Sequence, residues 1–528
     1  MSEAVGTGEA LFIARPVQDA SALAGKVRDR FRGKVVEAPW YGKNLRWSAM
    51  PPPKAMARCL FVYPGVTSPG WASLKAGASN EATYMSHGMA YVSSALRARG
   101  HLAWLLDMRS CRSWPDFARR VAEEEYDLVF LGFLSHDAFT AAGTLRVLKE
   151  VHPDRPVIVG GIHPTISEDK VWPPDDLADL WLHKDPPQQL KNFLEWKCEP
   201  VYEPANFPKA DCVIWNEGEI AACLLAEKVA AGEPIPPLVN AGVIPDLNET
   251  PHADRELFDT EIECQTPLLP FLPRPFYTIT FGRGCPFSCG FCNIASQLSS
   301  SSVRLIKPDY FLDELEQLHA RHGKIGSLMI HDDILLYPKW LSAWNAEIRK
   351  RWGYVPYWCQ MRADFITKFP DLMREMAESG MSWVSIGLES GSQRLLDLMV
   401  KQTTVEENVA ACAILEALGV NVFGNWMLGL PTETPEDVRA TADMMRRIRP
   451  GFHSASIYCN YPGTSLAHYL EENGLLLPEW YVTSHYPWQR RLKGVDYELA
   501  MRVRGQVTSE FPNRPQRPKL WPEGLSVT

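Results

Sequence analysis

Phe276-Tyr-Thr-Ile-Thr-Phe281 runs directly into Gly282-Arg-Gly-Cys285-Pro-Phe-Ser-Cys289-Gly-Phe-Cys292. A short apolar strand is followed by a glycine turn and three cysteines in the spacing Cys-x3-Cys-x2-Cys. On so short a loop the thiolates can converge, and soft thiolate ligands suit zinc or an iron–sulfur cluster. A structural zinc site wants a fourth ligand close by, yet the only Cys or His within the next 30 residues are His319 and His322. An electron-transfer cluster likewise wants four cysteines. Three thiolates leave one iron of a [4Fe–4S] cube open, which implies chemistry at the metal.

Working outward, apolar strands alternate with amphipathic helices on both sides of this loop. Downstream, strands are expected near Phe276–Phe281, Ser327–His331, Tyr357–Arg362, Trp383–Gly387, Val420–Leu428 and Ser454–Cys459. Helices are expected near Asp309–Arg321, Pro338–Arg351, Pro370–Ser379, Val405–Leu418 and Pro435–Ile448. Six βα units in this length fit a partial (β/α)6 TIM barrel rather than the complete eightfold one. Upstream, strands Arg58–Tyr63, Leu102–Asp107, Leu128–Gly132, Pro156–Gly160 and Cys212–Trp215 alternate with helices in the same way. That pattern predicts an open, doubly wound Rossmann-like parallel sheet, with its ligand beyond the carboxyl ends of the strands. The fold class is therefore α/β. The expected units are an extension over 1–52, a doubly wound domain over 53–235 and a proline-bearing linker over 236–274. The barrel over 275–475 and a tail over 476–528 complete the chain. A polar insertion over 165–210 interrupts the first domain.

Composition sets the outer limits. The 528 residues are 46% hydrophobic and 22% charged, and the net charge of −9 argues against bulk nucleic acid as the partner. No apolar run is long enough for a membrane span. The opening MSEAVGTGEALFIARPVQDA lacks the basic-then-apolar order of a signal peptide, so a cytoplasmic enzyme is expected. Twelve cysteines are too sparse for a disulfide scaffold, and the nine outside the cluster read as small buried residues. No Ser–His–Asp, Walker or paired-carboxylate constellation stands out.

The cysteine spacing, the Arg-Gly before it and Phe291 ahead of the last cysteine resemble the radical S-adenosylmethionine (radical SAM) superfamily over about 276–475. The resemblance implies a [4Fe–4S] cluster on Cys285, Cys289 and Cys292, and SAM at its open iron. Further matches fall at strand ends. His331-Asp332-Asp333 resembles the element near the SAM amino group. Ile386-Gly-Leu-Glu389-Ser-Gly-Ser392 ends the fourth strand, where Glu389 or Ser390 would contact SAM. Gly424-Asn-Trp-Met-Leu-Gly429-Leu-Pro431 covers the adenine-contacting segment. Gln360 and Arg362, on the third strand, are alternates for facing the pocket. Trp358, Trp383 and Trp426 are candidates to line it, and Trp480, Trp488 and Trp521 to close over it.

Val157-Ile-Val-Gly160-Gly161-Ile-His163-Pro164-Thr165 resembles the glycine-rich turn of cobalamin-binding domains attached to this superfamily. Asn216-Glu-Gly218-Glu219 resembles their Gly-Glu element. Over about 56–235 the resemblance implies cobalamin, with Ser135, Gly160 and Gly161 lining the corrin, because glycine lets backbone approach a bulky planar ligand. The strand end Phe133-Leu-Ser135-His136-Asp137 departs from the Asp-x-His-x-x-Gly loop of methionine-synthase-like domains, which puts a cobalt-ligating role for His136 in doubt. Taken together, the chain resembles cobalamin-dependent radical SAM methyltransferases. The implied reaction methylates an unactivated carbon of a small specialised metabolite, using a 5′-deoxyadenosyl radical, methylcobalamin and a reductant such as flavodoxin or ferredoxin. A rearrangement, cyclisation or oxidation with the same cofactors, and a radical enzyme without working corrin, are the alternatives.

Overall fold

The structure is a computed structural model that describes residues 46–64, 85–134, 137–166, 210–258, 269, 271–292, 294, 303–331, 336–461, 464–477 and 492–519. Two six-stranded parallel sheets organise these residues.

The first sheet is built from β1 (Arg58–Tyr63), β2 (Leu102–Asp107), β3 (Leu128–Gly132), β4 (Val157–Gly160), β5 (Cys212–Trp215) and β6 (Leu238–Asn240). Between them run α1 (His87–Ala98), α2 (Trp114–Glu123), α3 (Ala138–Val151), α4 (Ile162–Ile166) and α5 (Gly218–Ala230). β1 and β3 are almost wholly buried apolar runs, which a parallel sheet covered on both faces requires. The spatial order is β2-β1-β3-β4-β5-β6, all parallel. The chain reverses direction across the sheet between β1 and β3, and a doubly wound fold binds its ligand at such a switch point. β6 falls inside the stretch read as a linker; three residues are too short a pattern to announce a strand.

The second sheet contains β7 (Phe276–Ile279) and, after the antiparallel two-residue pair β8 (Gly282–Arg283) and β9 (Arg304–Leu305), α6 (Pro308–His322). Next come β10 (Ser327–Ile330), α7 (Pro338–Trp352), β11 (Tyr357–Met361), α8 (Ala363–Lys368), α9 (Pro370–Ser379) and β12 (Met381–Glu389). α10 (Gln393–Leu398), α11 (Val405–Leu418), β13 (Asn421–Leu428), α12 (Pro435–Ile448) and β14 (Phe452–Ile457) complete the barrel series. α13 (Ser465–Glu472) and α14 (Tyr497–Glu510) follow. The order β14-β13-β12-β11-β10-β7 leaves β7 and β14 as the two ends of a partial (β/α)6 barrel. Strand alternation splits the apolar residues into two cores. Tyr277, Ile279, Leu328, Ile330, Cys359, Met361, Val384 and Ile386 face the helices. Phe276, Met329, Trp358 and Trp383, joined by Phe423 and Phe452, form a separate cluster on the opposite face. Because residues of both end strands join it, the sheet is curled, and this cluster floors its concave side.

The two sheets meet through buried charge. Glu217, at the N-cap position of α5 after β5, accepts from Arg304 at 2.5 and 2.7 Å. Arg283 reaches Glu219 at 2.5 Å and Glu217 at 3.5 Å. Tyr91 of α1 lies under the Arg283 guanidinium and meets Thr280 at 3.2 Å, while Ile220 of α5 joins the barrel's helix-side core. Burial opposes the charge on Glu217, but Arg283 and then Arg304 outweigh it, and its carboxyl is held below the usual range. A depressed folded pKa means the stabilisation is complete above the unfolded value of about 4.3 and is lost as pH falls through the folded value. Docking of the two units should therefore hold at neutral pH and loosen in acid below about pH 4. Limited proteolysis across a pH series reads this directly. Glu217→Gln should already be loosened at pH 7, and an unchanged acid profile in that variant would contradict the assignment.

Candidate active site

β8 and β9 carry Arg283 and Arg304, so the same short ribbon that docks the first domain launches the cysteine loop. Three half-buried cysteines follow on it: Cys285, Cys289 and Cys292. Backbone ties hold the loop between helices: Gly290 N–H donates to Met399 O at 2.7 Å, and Leu466 N–H donates to Gly290 O at 2.8 Å. A Cβ at Gly290 would stand 3.2 Å from Ser465 Oγ, so glycine is what lets the loop pass. Among the described residues no three His, Cys, Asp or Glu side chains converge as one metal ion requires. An iron–sulfur cube instead spreads its thiolates over separate irons, and a three-cysteine loop fits such a group.

Around the loop stand two residues named from the sequence, Arg362 and Glu389, and one that was not, Lys401. Arg362, fully buried at the end of β11, stacks over the Phe287 ring at 3.6 Å and places Nη1 3.9 Å from Cys289 Sγ. Its Nη2 donates to Lys401 O at 2.8 Å and Gln402 O at 3.0 Å, and Asp364 balances its charge at 2.9 Å. Lys401 in turn pairs with Glu389 at 2.7 Å inside the protein. Burial works against the ammonium, but Glu389 and the Cys289 sulfur more than offset it and raise its pKa. A Cβ at Gly387 would fall 2.2 Å from Glu389 Oε1 and 2.6 Å from Lys401 Nζ, so that glycine makes room for the pair. Glu389, Val400 and Gln402 all have positive φ, at 58°, 53° and 55°. Left-handed backbone is uncommon outside glycine and anomalous for a β-branched valine, and such strain gathers at functional sites.

The remaining candidates separate. Gln360 is half-buried on the concave face, in register with Ser385, whose Oγ accepts from Asn425 Nδ2 at 2.8 Å. Together they make a polar layer above the aromatic floor. Ser390 is fully buried and spends its hydroxyl on Thr441 Oγ1 at 3.0 Å and on Ser392 N–H at 3.1 Å, away from the concave space. Gly424 lies on the outward face, where a Cβ would meet Leu388 at 3.0 Å and Pro450 at 3.2 Å. The structure thus gives Gly424 a packing role. Trp358 and Trp383 are in the floor, whereas Trp426 is in the helix-side core. Asp332, Ser135, His136, Trp480, Trp488 and Trp521 lie outside the described residues.

At the first sheet, half-buried Gly132 and Gly160 end the adjacent strands β3 and β4, and exposed Gly161 follows. Gly161 has φ +103°, and a Cβ there would strike Phe133 O at 2.9 Å. Gly160 is different: a Cβ would meet only Ile214 at 3.7 Å. Thr165 Oγ1 accepts from Asn216 N–H at 3.0 Å and donates to Gly161 O at 2.8 Å, bracing the turn. A glycine-rich edge on β3 and β4, beside the switch point, fits a broad planar ligand such as a corrin. His87, opening α1, reaches the barrel's concave face: Nε2 is 3.0 Å from Thr278 Oγ1, and its ring is 5.9 Å from that of His331. The carboxyl end of the first sheet therefore meets the mouth of the second.

Residues 279–445 match the radical SAM superfamily, and residues 76–177 match the B12 binding domain. The chain thus pairs a B12 binding domain with a radical SAM domain, the combination found in cobalamin-dependent radical SAM enzymes. Its cofactors are a [4Fe–4S] cluster, SAM and cobalamin. It is 22% identical over 398 residues to an uncharacterised methyltransferase of Pyrococcus horikoshii, covering 74% of this chain and 79% of that one. It is 25% identical over 412 residues to the anaerobic magnesium-protoporphyrin IX monomethyl ester cyclase of Rubrivivax gelatinosus, covering 78% and 69%. Its fold is similar to that of the radical SAM methyltransferase TsrM of Kitasatospora setae, solved with cobalamin and a [4Fe–4S] cluster. That likeness has a TM-score of 0.53 at 16% identity and covers 79% of this chain and 78% of that one. Among the described residues no helix is long and apolar enough to cross a membrane.

Proposed function

We propose that this cobalamin-dependent radical SAM enzyme is a C-methyltransferase that acts on an unactivated carbon of a small specialised metabolite. The observation that carries the reading is the seam, where Glu217 and Glu219 grip the ribbon two residues ahead of Cys285. That docking sets the glycine-edged strand ends of one domain beside the cysteine loop of the other. The chemistry the bound groups supply is hydrogen-atom removal by a 5′-deoxyadenosyl radical and methyl donation from cobalamin. In this reading Cys285, Cys289 and Cys292 hold the cluster, while Glu389, with Asp332 and Gln360, orients SAM. Gly160 and Gly161, with Ser135, line the corrin face. The floor of Trp358, Trp383, Phe423 and Phe452 keeps water from below, which protects a carbon radical. In this reading the substrate is a small molecule held between the sheets, and electrons come from a flavodoxin- or ferredoxin-type donor in the cytoplasm.

The similarity to a cyclase favours one second reading, the same cofactors without methyl transfer. SAM carrying a deuterated methyl group separates the two. With an accepted metabolite, labelled product together with 5′-deoxyadenosine supports methyl transfer. Deoxyadenosine beside an unlabelled, altered product overturns it in favour of cyclisation, rearrangement or oxidation.

A further inference from the structure

Two buried cations crowd the cysteine loop, and neither is needed to hold a cluster. The Arg362 side chain is 2% exposed and its carboxylate partner Asp364 is 22% exposed, so water damps the anion more than the cation. Four of the guanidinium's contacts go to Asp364 and to the carbonyls of Lys401 and Gln402, while Nη1 faces Cys289 Sγ. Lys401 sets Nζ 5.7 Å from the centre of the Phe291 ring, the residue between Gly290 and Cys292. Both side chains are walled off from solvent, where screening is weak, and Glu389 at 2.7 Å from Lys401 and Asp364 at 2.9 Å from Arg362 offset part of their charge.

We propose that Arg362 and Lys401 set the reduction potential of the iron–sulfur cluster, stabilising its reduced form by holding two positive charges against the Cys289 side of the loop. The inference rests on the reading that Cys285, Cys289 and Cys292 bind the cluster. Reduction adds one electron from the low-potential donor protein and makes the cluster more negative by one charge. Arg362 is a cation at every working pH, so no proton need accompany that electron. A merely structural Arg362 would act through its forked bonds to the 401–402 carbonyls, which lysine cannot reproduce. A charge effect survives that replacement, and the two roles part there.

The experiment is a mediated redox titration of the reconstituted full-length protein without SAM, reading the reduced cluster by electron paramagnetic resonance. Arg362→Gln and Lys401→Gln, each with its full iron, should lower the reduced-to-oxidised ratio at a fixed potential by about tenfold, equivalent to about 59 mV for one electron. Arg362→Lys should stay close to the parent. An unchanged ratio in both glutamine variants, or an equal fall in Arg362→Lys, overturns the proposal. So does weaker SAM binding with an unmoved potential, which would make these cations a SAM-carboxylate subsite instead. If Arg362→Gln loses its iron, Lys401→Gln decides alone. A parent protein that takes up no iron refutes the cluster reading itself, a separate failure from a potential that does not move.

Discussion

Alanine at Cys285, Cys289 and Cys292 together should remove all cluster iron and all formation of 5′-deoxyadenosine, while cobalamin uptake persists. The loop that carries them is placed by contacts that owe nothing to the cluster. Gly290 is tied to Met399 and Leu466 through its backbone, and Phe287 lies under Arg362. The fold around the loop should therefore survive the loss of three thiols, and the first sheet, with its own core, should keep its ligand. Removing the thiolates also removes the open iron on which SAM would sit, so the expected loss is total rather than graded. Iron analysis, the cluster's visible absorption and a deoxyadenosine assay read it out. Reductive cleavage that continued in the iron-free triple variant would sink the assignment.

Leucine at Gly160 should abolish cobalamin binding and leave the iron in place. The choice of position comes from the backbone. Gly161 has positive φ and backs onto the Phe133 carbonyl at 2.9 Å, so even alanine there strains the turn and confuses ligand loss with misfolding. At Gly160 φ is not positive and a Cβ finds ordinary contact with Ile214 at 3.7 Å, so the backbone there accepts a Cβ without strain. Only a ligand lying across the strand ends would resent it. The expected fall in corrin affinity is at least about 100-fold, or about 2.7 kcal/mol. Equilibrium dialysis with hydroxocobalamin measures that fall, with iron content as the control for folding. Parent-like corrin binding by Gly160→Leu would mean that the ligand does not cross this edge.

The large elements were legible because their signals are local. Buried runs such as Leu128–Gly132 and Tyr357–Met361 announce strands, and the cysteine spacing announces its own chemistry. The reading fell short where meaning depends on which face a residue takes. Gly424 opens the motif expected to contact adenine, yet one step of strand alternation turns it outward against Leu388 and Pro450. Ser390 lies beside Glu389, but its hydroxyl is drawn into α12 through Thr441. Lys401 carried no local signal at all: a lysine after Met399 and Val400 reads as a solvated residue past a helix end. Only the tertiary fold, which sets Glu389 against it across a bulge in β12, makes it a buried cation. Arg283 was visible as the arginine before the first cysteine, but its bond to Glu219 joins residues far apart in the chain.

The most direct measurement is anaerobic reconstitution of the full chain with iron, sulfide and hydroxocobalamin, then desalting and a count of both cofactors on one sample. The expected result is about four irons and one corrin per chain, bound together. Iron without corrin, or corrin without iron, would contradict a catalytic site shared between the two sheets.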